Sequence, residues 1–214
     1  MSAESNCASL LAEAAGWRLV ELLLERPRAG WHAEIRAVAN ETHDSRLEAA
    51  AAAAVEVDEG RYLAVFGPGG TVSPREVAYR PMGDPGRILT ELRGIYEAFG
   101  FHPKSEDPPD HVAVQAGFAG FMKLKQAYAR AAGDGEGEQT ARAALERCLE
   151  DHLGGFVVEL ARKLKHSGLE HMARAGSVLA DLCPDVPSSR VALPMAALPG
   201  DDQDGFVCGA NCGD

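Results

Sequence analysis

The chain reads as an all-α protein, a single-domain helical bundle with a flexible C-terminal tail, on three observations. Alanine and leucine dominate the apolar positions while aromatic residues make up 6% of the 214 residues, a balance that favours packed helices over sheet. Apolar residues recur at helical spacing in most of the longer segments. Capping residues, prolines and glycine clusters then mark where those segments begin and end.

The elements follow in order. Ser5 is placed to cap a helix running to about Arg26, with Leu10, Trp17, Val20 and Leu24 on a broad apolar face, and Pro27 ends it. A second helix is expected over Trp31 to Glu41, and a third from a cap at Asp44 through an alanine block to about Val57. Tyr62 to Phe66 is a short apolar segment leading into Gly67-Pro-Gly-Gly70, the start of an internal loop over about 67–86 within which order resumes from Arg75 to Tyr79. Asp84-Pro85 is a cap with proline at the first helical position, and Ile88, Leu92, Ile95, Tyr96 and Phe99 carry that helix to Gly100.

The hexapeptide Glu106-Asp-Pro-Pro-Asp-His111 comes next. Its prolines supply no backbone donors and hold the preceding residues extended, which puts Asp110 at the expected N-cap of a helix to about Ala132. The stretch Gly133 to Gly137 reads as a linker. A long helix from Gln139 to His166 carries one apolar stripe, with Gly154-Gly155 as the place for a kink. A last helix over Leu169 to Leu182 stops at Pro184. The domain is therefore expected over 1–183 and an acidic, cysteine-containing tail over 184–214.

Composition narrows the function. A formal net charge of −11 argues against nucleic acid or anionic membrane surfaces as partners and favours a basic peptide. No apolar run is long enough to span a bilayer, and the start of the chain lacks a cationic secretory leader, so a cytoplasmic location is expected. Five cysteines are scattered and odd in number, which does not make a disulfide framework. The phosphate-binding, dinucleotide-binding, nucleophile-elbow and zinc-protease signatures are missing from the sequence. Gly67-Pro-Gly-Gly70 lacks the Lys-Ser or Lys-Thr of a phosphate loop and reads as a turn. Cys208 and Cys212 have metal-ligand spacing but form half a site, so no metal and no cofactor are expected. His152 falls in an apolar stripe and reads as a buried histidine bonded to a backbone carbonyl. His111, in the first turn of a helix, is expected to be largely neutral and able both to donate and to accept hydrogen bonds.

Several separate stretches together resemble the TorD/DmsD family of redox-enzyme maturation chaperones. Glu106, Pro108, Asp110 and His111 match that family's Glu, spacer, Pro-x-Asp-His signature at the head of a helix. Tyr96-Glu-Ala-Phe-Gly-Phe101 is similar to the approach to this motif. Tyr62-x-x-x-Phe66-Gly-Pro-Gly69 and Ser73-Pro74-x-Glu76-x-x-Tyr79 are similar to its upstream segments, and His152-Leu153 with Phe156 resembles its His-Leu-x-x-aromatic helix. Order and spacing agree over about Trp17 to Leu182. Val77 stands where the family usually has serine, and Gln115, Ala116 and Gly117 where it often has Glu-Leu-Glu.

The resemblance implies a bundle of the TorD/DmsD type and a non-catalytic chaperone. Such a chaperone binds the twin-arginine signal peptide and the apo catalytic subunit of a molybdenum enzyme, assists cofactor insertion and delays export. Phe66, Pro74, Glu76 and Tyr79 are expected to shape one wall of the site, and Glu106, Pro108, Asp110 and His111 the polar contact facing it. Asp110 is the expected carboxylate for a client arginine, since a carboxylate accepts a guanidinium bidentately. Helical proteins with extended connections also allow a monomer or a swapped dimer. A plain helical adaptor, or a protein that binds guanine nucleotide or the molybdopterin-guanine cofactor, are the alternatives.

Overall fold

The computed structural model describes residues 3–80 and 83–184, and these form one all-α helical bundle without strands. The tail expected beyond Pro184, with Cys208 and Cys212, lies outside the described residues. No described helix is long and apolar enough to cross a membrane.

Helix α1 (Ala3–Leu24) and helix α6 (Val112–Ala131) form the spine. They meet closely because α6 carries small residues where the helices touch: a Cβ at Gly120 would stand 3.2 Å from Trp17 Cβ, and Gly117 lies against the Glu21 carboxylate. Leu19, Leu22, Leu23 and Leu24 from α1 and Val112, Phe118 and Met122 from α6 are buried in one core. Helices α2 (Trp31–Ala39), α3 (Ser45–Ala53) and α9 (Glu170–Leu182) cover one end of it, and the buried Trp31 ring donates to the Leu22 carbonyl at 2.7 Å.

Several boundaries differ from expectation for identifiable reasons. Helix α1 begins at Ala3, which places Ser5 inside the helix rather than at its cap. Asp44 does cap α3, accepting from the Arg46 backbone N–H. The segment read as starting at Tyr62 is helix α4 (Glu59–Phe66), extended backward because Asp58 caps it through the Arg61 N–H. Helix α5 (Pro85–Phe99) follows its Asp84 cap as expected and ends on Gly100, left-handed at φ 68°. The expected 133–137 linker shrinks, because the Asp134 side chain accepts from the Gly137 N–H and starts helix α7 (Gly135–Cys148) inside it. A π-helical turn at Leu149–Leu153 then joins α7 to helix α8 (Gly154–Leu164). The irregularity thus falls immediately before Gly154-Gly155.

Candidate functional site

The head of α6 is built by a long-range pairing. The chain at Pro74–Glu76 runs antiparallel to Asp110–Val112: the Val112 N–H donates to the Pro74 carbonyl at 2.8 Å, and the Glu76 N–H donates to the Asp110 carbonyl at 3.0 Å. The first of these satisfies one of the donors that a helix start leaves without an intrahelical partner. The next is satisfied by the cap, and the cap is His111. Its Nδ1 accepts from the Ala113 N–H at 3.1 Å, which corrects the expectation that Asp110 caps α6.

Asp110 is fully buried and its carboxylate is turned to the upstream loop. Arg75 donates to Oδ1 through Nε at 2.9 Å and through Nη2 at 2.8 Å, and the Val77 N–H donates to Oδ2 at 3.3 Å. A buried charge needs such partners. The chain's own Arg75 therefore occupies the carboxylate expected to meet a client arginine.

His111 completes an aromatic cluster. With Nδ1 accepting, the proton sits on Nε2, which points at the Tyr62 hydroxyl 3.5 Å away. Phe66 packs edge-on against both rings, with centroids 5.6 Å from Tyr62 and 6.0 Å from His111. Burial lowers the His111 pKa, against the pull of Asp107 and Asp110 to raise it. The ring is thus held neutral, as its helix position led one to expect.

Glu76 and Tyr79 face a different way. They lie on a 3₁₀ turn (Glu76–Tyr79) between α4 and α5. The fully buried Glu76 carboxylate accepts from Gln115 Nε2 at 2.9 Å and pairs with Arg80 Nη2 at 2.8 Å and His152 Nδ1 at 3.2 Å. Arg80 also donates to the Asp151 and His152 carbonyls in the π turn. His152 is buried, as expected, but its partner is this remote carboxylate rather than a backbone carbonyl. Tyr79 donates to the Ser73 carbonyl at 2.8 Å and stacks on Phe156 at 5.4 Å, with the Lys163 ammonium 4.5 Å above its ring. These residues lock the loop to the bundle.

Four of the eight expected site residues converge. Phe66, Pro74, Pro108 and His111 line a pocket of about 490 Å³ together with Tyr62, the glycine turn and Asp107. Glu106 is exposed just outside it, while Glu76, Tyr79 and Asp110 stand behind it and support it. The walls are mostly apolar. Among the described residues the half-buried Asp107 carboxylate accepts no hydrogen bond and forms no close ion pair, although Arg26 on the rim, tied to Glu59, also feels its charge. A larger groove of about 1080 Å³ between α5 and α7 contains none of the eight. Nothing in the smaller pocket activates a nucleophile, and no group of three or more His, Cys, Asp or Glu among the described residues is arranged to hold a metal. The arrangement is suited to holding an apolar or aromatic side chain with a cation beside it.

Arg75, Arg80 and Asp107 were not among the expected site residues. Arg80 had a signal, since it follows Glu76 by four positions. Asp107 lay inside the hexapeptide, overshadowed by its capping neighbour. Arg75 had none, because its partner is distant in the chain.

A family model for the nitrate reductase delta subunit matches residues 26–162. The chain belongs to the nitrate reductase delta subunit family. The match contains every residue of the pocket and, apart from Lys163, of the network behind it. The nitrate reductase delta subunit family supports the general TorD/DmsD assignment, and membership points to a chaperone role in maturing molybdoenzymes rather than to catalysis. No curated protein and no solved structure matches the chain.

Proposed function

We propose that this protein is a maturation chaperone that binds the twin-arginine leader and the apo catalytic subunit of a molybdenum enzyme, holding it back from export until its cofactor is in place. The observation that carries the reading is the pocket at the head of α6, within the matched residues, where an apolar cleft adjoins an unpaired carboxylate. An arginine of the leader pairs with Asp107, with Glu106 as a second exposed acid beside it, and an apolar leader residue enters between Phe66, Pro74 and Pro108. Asp110 serves this site indirectly. By holding Arg75 and the 3₁₀ turn it fixes the pairing that shapes one wall.

The neutral His111 has a matching role. It caps α6 and orients the Tyr62 hydroxyl without adding positive charge beside an incoming guanidinium. The net charge of −11 attracts the basic start of a leader, and the cleft retains what arrives. Co-purification with a full-length apo catalytic subunit is expected, with retention reduced by deleting the leader or by Glu106→Gln with Asp107→Asn. Equal retention in all three cases would remove the leader from the account.

A further inference from the structure

A second apolar groove, of about 670 Å³, lies between α1, the start of α3, α6 and the end of α7. Its lining includes Ala12, Gly16, Trp17, Leu47, Leu145 and Leu149, and the small residues of α1 leave the space that a bulkier segment would fill. Gln126 also lines it. That side chain is nearly fully buried, and its Nε2 has no hydrogen-bond partner among the described residues. A buried amide donor without a partner is costly, but this Nε2 is covered by its neighbours and is not a contact for an occupant of the groove.

The groove's mouth is where the described chain ends. Leu182, the last residue of α9, lines the groove and is 39% exposed, and residues 185–214 continue from there. That continuation contains two uncharged apolar runs, Val191-Ala-Leu-Pro-Met-Ala-Ala-Leu198 and Phe206-Val-Cys-Gly-Ala210, of which the first is the longer and the nearer to Leu182. Eight residues, nine Cα-to-Cα steps, separate Leu182 from Val191, a reach of up to roughly 30 Å. Arg190 precedes the run, and Glu146 on the groove's rim has no ion-pair partner among the described residues.

We propose that residues 191–198 of the chain's own tail occupy this groove. The short tether makes the docking intramolecular, with an effective concentration on the order of millimolar, so even a weak fit is populated. This occupant is a different segment at a different place from the leader peptide, and the inference stands or falls independently of that reading.

The test uses the full chain with the photocrosslinking residue p-benzoylphenylalanine in place of Met195. Intramolecular products joining position 195 to peptides spanning 8–17 or 142–149 are expected. They should be lost in Ala12→Leu, which fills the groove from a half-buried position, and in Leu193→Asp/Leu198→Asp, which leaves the helical body untouched. Products mapping to the Tyr62 and His111 pocket, products between two copies, or unchanged yields in the tail double variant would each overturn the proposal.

Discussion

Glu76→Ala removes the one carboxylate shared by Arg80, His152 and Gln115 and leaves the nearly buried Arg80 guanidinium uncompensated. Breaking a buried pair from one side costs about 3 kcal/mol or more. The expected result is a lower urea midpoint with an unchanged denaturant slope, whereas removing an exposed pair such as Arg174 with Glu170 should leave the midpoint nearly where it was. A pH prediction rests on His171, buried edge-on to Trp31, whose pKa burial lowers from 6.5 to about 4. Between those values the unfolded chain binds more protons than the native one, so stability falls as pH drops from about 6.5 towards 4, by at most about 1.4 kcal/mol per unit. His111, lowered by burial too, acts in the same direction. Glu25 opposes them: burial raises its carboxyl to about 7, so the stability it contributes is lost as pH rises from 4.5 towards that value. Urea midpoints measured from pH 7 to 4.5 should flatten in His171→Leu. At this scale the sequence was only partly legible. Read alone, Asp110 is the preferred cap and His111 a first-turn residue; the reversal comes from Arg75 and Val77, which engage the Asp110 carboxylate from more than thirty positions upstream.

The Gly67–Gly70 turn gives the clearest contrast among the elements. A Cβ at Gly70 would collide with the Val65 carbonyl group, which closes that turn by accepting from the Val72 N–H at 3.0 Å. Gly70→Ala should therefore cost more than about 2 kcal/mol. Gly69→Ala meets no neighbour within 4 Å and should cost only about 1 kcal/mol, through its positive φ of 78°. Thermal or urea unfolding of the pair ranks them. Helix α5, with its strong apolar stripe and side-chain cap, was legible from end to end, whereas α3 was legible at its Asp44 cap but stops at Ala53, short of the expected Val57. The start of α4 was not, because its first turn is polar and carries no periodic signal. The π turn was also hidden: the apolar stripe runs through Leu149, His152 and Leu153 without a break, and the contacts that accompany the extra residue come from Glu76 and Arg80 in another part of the chain.

Taken whole, the bundle brings the five motifs scattered between Tyr62 and Phe156 to one region, Tyr96 reaching it by donating to the Pro109 carbonyl at 2.9 Å. Two of them, the hexapeptide and the Ser73-Pro74 segment, are joined by backbone pairing, while the His152 helix and Tyr79 brace them from behind. Motif order was visible in the sequence; the division of labour was not, since which residues face the pocket depends on how the 3₁₀ turn is rotated. The field of the acidic molecule adds a further expectation. Affinity for a basic leader should weaken as salt rises, because the exposed Glu106 and the half-buried Asp107 are open to screening. The most direct measurement is an isothermal titration of the full chain, wild type and Asp107→Asn, with a twin-arginine leader peptide. Micromolar or tighter binding by the wild type is expected, markedly weakened in Asp107→Asn while its circular dichroism and urea midpoint stay unchanged. Equal binding by the two proteins, or no binding by the wild type, would contradict the assignment of this pocket to the leader.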